Sequence, residues 1–134
     1  MKTSSAVLTL IGAAALSLAS AVSALSAEIR PFQQEAFAAA QKAGQPIVVD
    51  ITASWCPTCR AQKPIIDNLA KNAAFKDLTI FKVDFDAQKD VVRALGANMQ
   101  STLIGYRGTK ETARSVGDTK AASIETLFKS TTAM

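Results

Sequence analysis

Past residue 27 the apolar positions change their period several times, and each change marks an element. From Pro31, the spacing of Phe32, Ala36, Phe37 and Ala40 predicts a helix that stops at Gly44. Ile47-Val48-Val49-Asp50-Ile51 is a short, nearly continuous apolar run behind Pro46. Such a run suits a strand buried on both faces of a parallel sheet. Helical spacing resumes through Ile65, Ile66, Leu69 and Ala70. Leu78 to Phe85, rich in Ile, Phe and Val, reads as the next strand. Asp86 is expected to cap a helix that buries Val91, Val92 and Leu95 and stops at Gly96. Thr102 to Tyr106 and Glu111 to Val116 read as a hairpin closed around Gly108. A last helix, from about Lys120 to Ser130, buries Ile124, Leu127 and Phe128. The order α-β-α-β-α-β-β-α predicts an α/β domain whose central sheet is covered on both faces.

The first quarter of the chain follows another pattern. Lys2 is its only charge before Glu28, an apolar run extends from Ala6 to about Leu18, and small residues fill Ala19 to Ala27. A basic start, an apolar middle and a small-residue end predict a secretory signal peptide over residues 1–24, with cleavage after Val22-Ser23-Ala24 or as late as Ala27. The competing reading is an uncleaved membrane anchor, because Ala6 to Ala24 approaches the roughly 20 apolar residues that span a bilayer. Ser17, Ser20 and Ser23 weaken that span. Both readings place the folded domain, residues 28–134, in the periplasm or otherwise outside the cytoplasm.

Composition then removes function classes. A chain of 134 residues supports one domain, and 49% hydrophobic with 19% charged residues argues against disorder. The net charge of +4 is too mild and too scattered to suggest nucleic acid. There is no His, which excludes His-based acid–base chemistry, Cys–His nucleophiles and His-ligated metal. With two Cys, a four-cysteine zinc site cannot be built within one chain. What function there is rests on that single pair.

Ser54-Trp55-Cys56-Pro57-Thr58-Cys59-Arg60 lies where a predicted strand ends and a helix begins. The thiolate is the nucleophile of thiol–disulfide exchange, and a helix N-terminus stabilises negative charge. Cys56 is expected to be the exposed attacking thiol, and Cys59, one turn on, the resolving one. Pro57 rigidifies the turn and has no amide hydrogen to leave unpaired. Half of a metal site shared between two chains is one alternative. A structural disulfide is the other, although closing so small a loop stabilises little.

In these residues the chain resembles the thioredoxin family, and the resemblance covers essentially all of residues 28–134. Trp55-Cys56-Pro57-Thr58-Cys59 resembles the family's WCxxC site. Its Pro-Thr dipeptide is similar to that of periplasmic thiol reductants in cytochrome c maturation, though there is no room here for the extra segment such proteins usually carry. The resemblance implies a thioredoxin fold, with a central mixed sheet of four to five strands flanked by helices on both faces. Asp50, six residues before Cys56, matches the family's buried acid, which helps deprotonate the resolving cysteine. Lys82 matches the lysine paired with it, Pro64 the proline that kinks the active-site helix, and Gly117 the glycine beside the substrate groove. Arg60 is given an electrostatic role.

One position departs from the pattern. Where the family places a cis-proline opposite the cysteines, Met99-Gln100-Ser101-Thr102-Leu103 has Ser101. A non-proline cis bond costs about 2.5–4 kcal/mol, so the Gln100–Ser101 bond is either trans or held cis under strain. Drift within a working reductase is the favoured reading of the lost proline; altered client selection, or a site opened to metal or an iron–sulfur cluster shared between two chains, are the alternatives.

The expected function is an extracytoplasmic thiol–disulfide oxidoreductase, a reductant of protein disulfides. Cys56, Cys59, Asp50 and Lys82 would carry the chemistry. Trp55, Pro57, Thr58, Met99, Gln100, Ser101 and Gly117 would meet the client. No cofactor beyond the Cys56–Cys59 disulfide and no resident metal is expected. Protein disulfide clients, a membrane electron donor and a monomeric state are expected as well. A metal- or iron–sulfur-binding dimer, a disulfide-donating oxidase and a redox-inactive scaffold are the alternatives.

Overall fold

Every residue from Ile47 to Ile51 is buried, and the strand holding them is the centre of the molecule. In the computed structural model, which describes residues 25–133, strands run β1 Glu28–Pro31, β2 Pro46–Thr52, β3 Thr79–Asp84, β4 Thr102–Arg107 and β5 Lys110–Val116. Helices run α1 Gln34–Lys42, α2 Pro57–Ala70, α3 Lys89–Ala94 and α4 Ala121–Thr132, with a 3-10 turn at Ala73–Phe75. The sheet order is β1-β3-β2-β4-β5. β2 pairs parallel with β3 and antiparallel with β4, so the five-stranded sheet is mixed.

Alternation along β2 divides the core. Ile47, Val49 and Ile51 pack with Phe32, Phe37, Phe81, Val92, Ile104 and Tyr106 beside α1 and α3. Val48 faces the other way and packs with Ile66, Phe75, Ile80, Leu103, Ile124 and Phe128, where α2 and α4 lie. Each such side chain contributes about 1.5–3 kcal/mol on full burial. Side chains two apart share a face, so Asp50 joins Val48 in the layer that holds α2.

The sequence expectation differs from the structure in three places. Pro31 does not start a helix. It ends β1, an edge strand paired parallel with β3, and α1 begins only at Gln34. Proline is tolerated there because an edge strand has a side that needs no ladder donor. Asp86 does not cap α3, whose N-cap is Gln88. Asp84 instead accepts the Asp86 and Ala87 amides, each at 2.9 Å, and leaves the Asp86 carboxylate free for another partner. Finally, Ala27 already belongs to the folded body, since it is buried and its amide donates to the Ala70 carbonyl at 2.7 Å. Residues 1–24, which carry the expected signal or anchor, lie outside the described residues.

Candidate active site

The chain leaves β2 at Thr52 and enters α2 at Pro57, with Cys56 as the N-cap. Pro57 occupies the first helical position, where a missing N–H costs nothing. The Cys59 amide donates to Cys56 Sγ at 3.1 Å. That contact aims an otherwise unpaired helix amide at the sulfur, the arrangement that favours a thiolate. Cys56 and Cys59 are joined by a disulfide, with their Cα atoms 5.3 Å apart. The expectation of an exposed Cys56 is corrected. Cys56 is 1% and Cys59 7% exposed, packed with Ala53 against Phe85. In the oxidised pair Cys56 Sγ is turned inward onto the helix amide.

Asp50 stands opposite Lys82 in the parallel register of β2 and β3. The Lys82 ammonium lies 3.3 Å from Asp50 Oδ2. Asp50 is 3% exposed, while the Lys82 side chain reaches solvent. Burial pushes the Asp50 carboxyl above its ordinary 3.8, and Lys82 opposes that rise without cancelling it. A cavity of about 180 Å³ opens along Asp50, Lys82, Ser54, Cys59 and Lys63. It is wide enough for water and so connects the carboxyl region to the resolving cysteine. Lys63 is itself paired with Asp67 at 2.6 Å. Pro64 lies inside α2.

Three segments surround the cysteines. Trp55 is 53% exposed, and its indole N–H donates to Asp86 Oδ2 at 2.7 Å. Pro57 is exposed and Thr58 half-buried beside it. Met99 is exposed, Gln100 half-buried and Ser101 buried. No cis peptide bond occurs among the described residues, so Gln100–Ser101 is trans, and Ser101 adopts φ 55. That left-handed conformation costs a residue with a Cβ about 1–2 kcal/mol. Three hydrogen bonds hold it. Ser101 Oγ donates to the Gln100 carbonyl at 2.6 Å, and the Ser101 carbonyl accepts from the Gly117 amide at 2.9 Å and from Gln62 Nε2 at 3.2 Å. Gly117 has φ 69, which glycine adopts without penalty, and so supplies the third segment close beside Ser101. Upstream, Arg114 donates to the Leu95 and Gly96 carbonyls and anchors the chain leading to Met99.

The structure therefore brings together Cys56, Cys59, Asp50 and Lys82, with Trp55, Ser101 and Gly117 beside them. Two further roles escaped the sequence reading. Asp86, expected only as a helix cap, holds Trp55, and nothing in the local sequence marks that pairing. Gln62 had a signal, because it is the polar member of an otherwise buried stripe Cys59, Gln62, Ile66, Ala70 on α2.

An oxidised dithiol at a helix N-terminus above a buried carboxyl defines a thiol–disulfide exchange protein. The thioredoxin family model matches residues 28–130, and the chain belongs to the thioredoxin family. It is 37% identical to Thioredoxin-2 of Saccharomyces cerevisiae over 76 residues, covering 57% of this chain and 71% of that one. It is 37% identical to a Thioredoxin H-type of Fagopyrum esculentum over 86 residues, covering 64% and 72%. The crystal structure of Trxlp from Edwardsiella tarda EIB202 superposes with a TM-score of 0.73 at 38% identity, covering 75% of this chain and 98% of that one. The protein is thus a thioredoxin-type thiol–disulfide oxidoreductase with a redox Cys56–Cys59 pair. The extracytoplasmic placement is corrected. The relatives matched are thioredoxins of yeast and of the plant H-type group, and they do not support it. The membrane electron donor was an expectation drawn from that placement.

Proposed function

We propose that this protein is a reductant of protein disulfides. The reduced Cys56 thiolate attacks one sulfur of a client disulfide, forming a mixed disulfide and releasing the client's first thiolate. Cys59 loses its proton toward Asp50 and attacks Cys56 Sγ. The mixed disulfide breaks, the second client thiolate leaves, and the Cys56–Cys59 disulfide forms. Two electrons pass to the client in each cycle. Lys82 keeps a charge beside Asp50, so the carboxyl can cycle between its two protonation states. Trp55, Pro57, Thr58 and the Met99-Gln100-Ser101 segment receive the client, with Gly117 leaving room beside it.

The observation that carries the direction is the company Cys56 keeps. Its sulfur has the Cys59 amide, and the two residues inside the motif, Pro57 and Thr58, bring no charge. A strongly oxidising pair needs a heavily stabilised thiolate, which holds the reduced form down in energy. One helix terminus without a cation in the motif stabilises it only modestly. The reduction potential of Cys56–Cys59, measured by equilibration against a dithiol buffer, is expected near the thioredoxin value of about −270 mV. A value near about −120 mV, that of a strong oxidant, would overturn the reductant assignment.

A further inference from the structure

Gln62 is 1% exposed, one turn beyond Cys59 on the inner face of α2. Its single amide nitrogen donates to two carbonyl oxygens from separate parts of the chain. One belongs to Ser101, before β4, at 3.2 Å. The other belongs to Asp118, after β5, at 2.8 Å. The amide orientation is not free, since turning it over would set Oε1 against both carbonyls. In the only workable orientation, Oε1 is buried with no hydrogen-bond partner among the described residues.

That orphan is informative. Leaving a buried acceptor unpaired is unfavourable, and a methionine or leucine would fill the same space without the penalty. A glutamine here is useful only through its nitrogen. That nitrogen ties the helix bearing both cysteines to the two segments that flank them. It also takes the second lone pair of the Ser101 carbonyl, whose first is used by the Gly117 amide. Both acceptor directions of a residue held at positive φ are therefore fixed, and one of them is fixed by α2 itself.

We propose that Gln62 is a positioning residue for client binding, locking the Ser101 and Gly117-Asp118 segments to the active-site helix at the distance an extended client strand requires. The lock does a job that backbone rigidity at position 101 would otherwise do, because serine leaves φ free. An extended client bound against such a segment gains its affinity through main-chain hydrogen bonds, which are sensitive to small displacements.

The test compares Gln62→Met and Gln62→Glu in the full chain, using a peptide with an intramolecular disulfide as substrate. Methionine removes both hydrogen bonds and the orphan together but leaves the half-buried Asp118 carbonyl without the Gln62 donor, so circular dichroism and a melting curve on the same sample establish that the variant folds. KM for the peptide is expected to rise roughly tenfold, the equivalent of about 1.4 kcal/mol, while kcat changes less than twofold. Glutamate, of the same shape but acceptor-only when ionised, is expected to raise KM at least as much. In the unaltered protein, the Gln62 side-chain amide protons should exchange slowly with solvent, and more slowly still when the peptide is added with serines in place of its cysteines. An unchanged KM in the methionine variant would overturn the proposal. So would a fall in kcat at constant KM, or Gln62 amide protons that exchange as fast as exposed ones.

Discussion

Cys56→Ser removes all turnover of protein disulfides, leaving only the uncatalysed rate of the added dithiol. The expectation follows from where the electrons go. Cys56 Sγ is the atom that receives the helix amide, and serine's hydroxyl is neither ionised at neutral pH nor able to accept a client sulfur. The substitution leaves the fold intact. The disulfide closes a loop of two intervening residues, and loop-closure entropy grows with loop length, so its loss costs the domain little. Serine can also keep the N-cap role, for which it is a preferred residue. Insulin reduction followed by turbidity, with circular dichroism on the same sample, separates the two effects. Residual turnover above background in a folded Cys56→Ser protein would move the chemistry elsewhere.

Asp50→Asn has opposite effects on stability and rate. At neutral pH it is expected to stabilise the oxidised protein, because a neutral amide escapes the desolvation penalty that the buried carboxylate carries. Lys82 does not become a stranded buried charge, because its side chain is 37% exposed and can rehydrate. The pH dependence fixes the sign. Burial raises the Asp50 pKa above its ordinary 3.8, so the folded chain holds a proton that the unfolded chain has released. The stabilising contribution of the protonated carboxyl is fully present below 3.8 and is lost as pH rises through the folded value. Asparagine binds no proton and removes that slope. Urea midpoints of the two proteins should therefore converge at acid pH and separate as pH rises. Turnover falls at the same time, by about 10²-fold, because Cys59 loses its proton acceptor. A variant that is less stable than the parent at pH 8, or equally active, would remove Asp50 from its assigned place.

These two residues were legible in the sequence for different reasons. The cysteines announce themselves by spacing and by position between a strand and a helix. Asp50 stands out because an acid interrupts an apolar run, and its partner Lys82 follows once β2 and β3 lie parallel in register. Strands buried on both faces were equally plain, since every side chain of Ile47 to Ile51 is buried. The four residues of β1 were not, because so short a segment shows no period and its pairing with β3 is nonlocal. Pro31 then pointed to the wrong element. The remaining losses share that origin. Asp86 meets Trp55 across 31 residues of sequence, and Gln62 meets Ser101 across 39. The burial of Cys56 depends on Ala53 and Phe85, and the left-handed turn at Ser101 on Gly117 and Gln62. None of these pairings follows from local pattern, because each is set by how loops close over the sheet.

The measurement that tests the central claim most directly is trapping with Cys59→Ser. Removing the resolving thiol stops the cycle after its first step, so each client should remain attached. Incubated with a disulfide-bearing protein and then quenched with acid, the variant is expected to form a one-to-one mixed disulfide through Cys56 that a dithiol releases. If no adduct forms while Cys56 remains alkylatable, Cys56 is not the attacking thiol and the exchange mechanism assigned to this pair is contradicted.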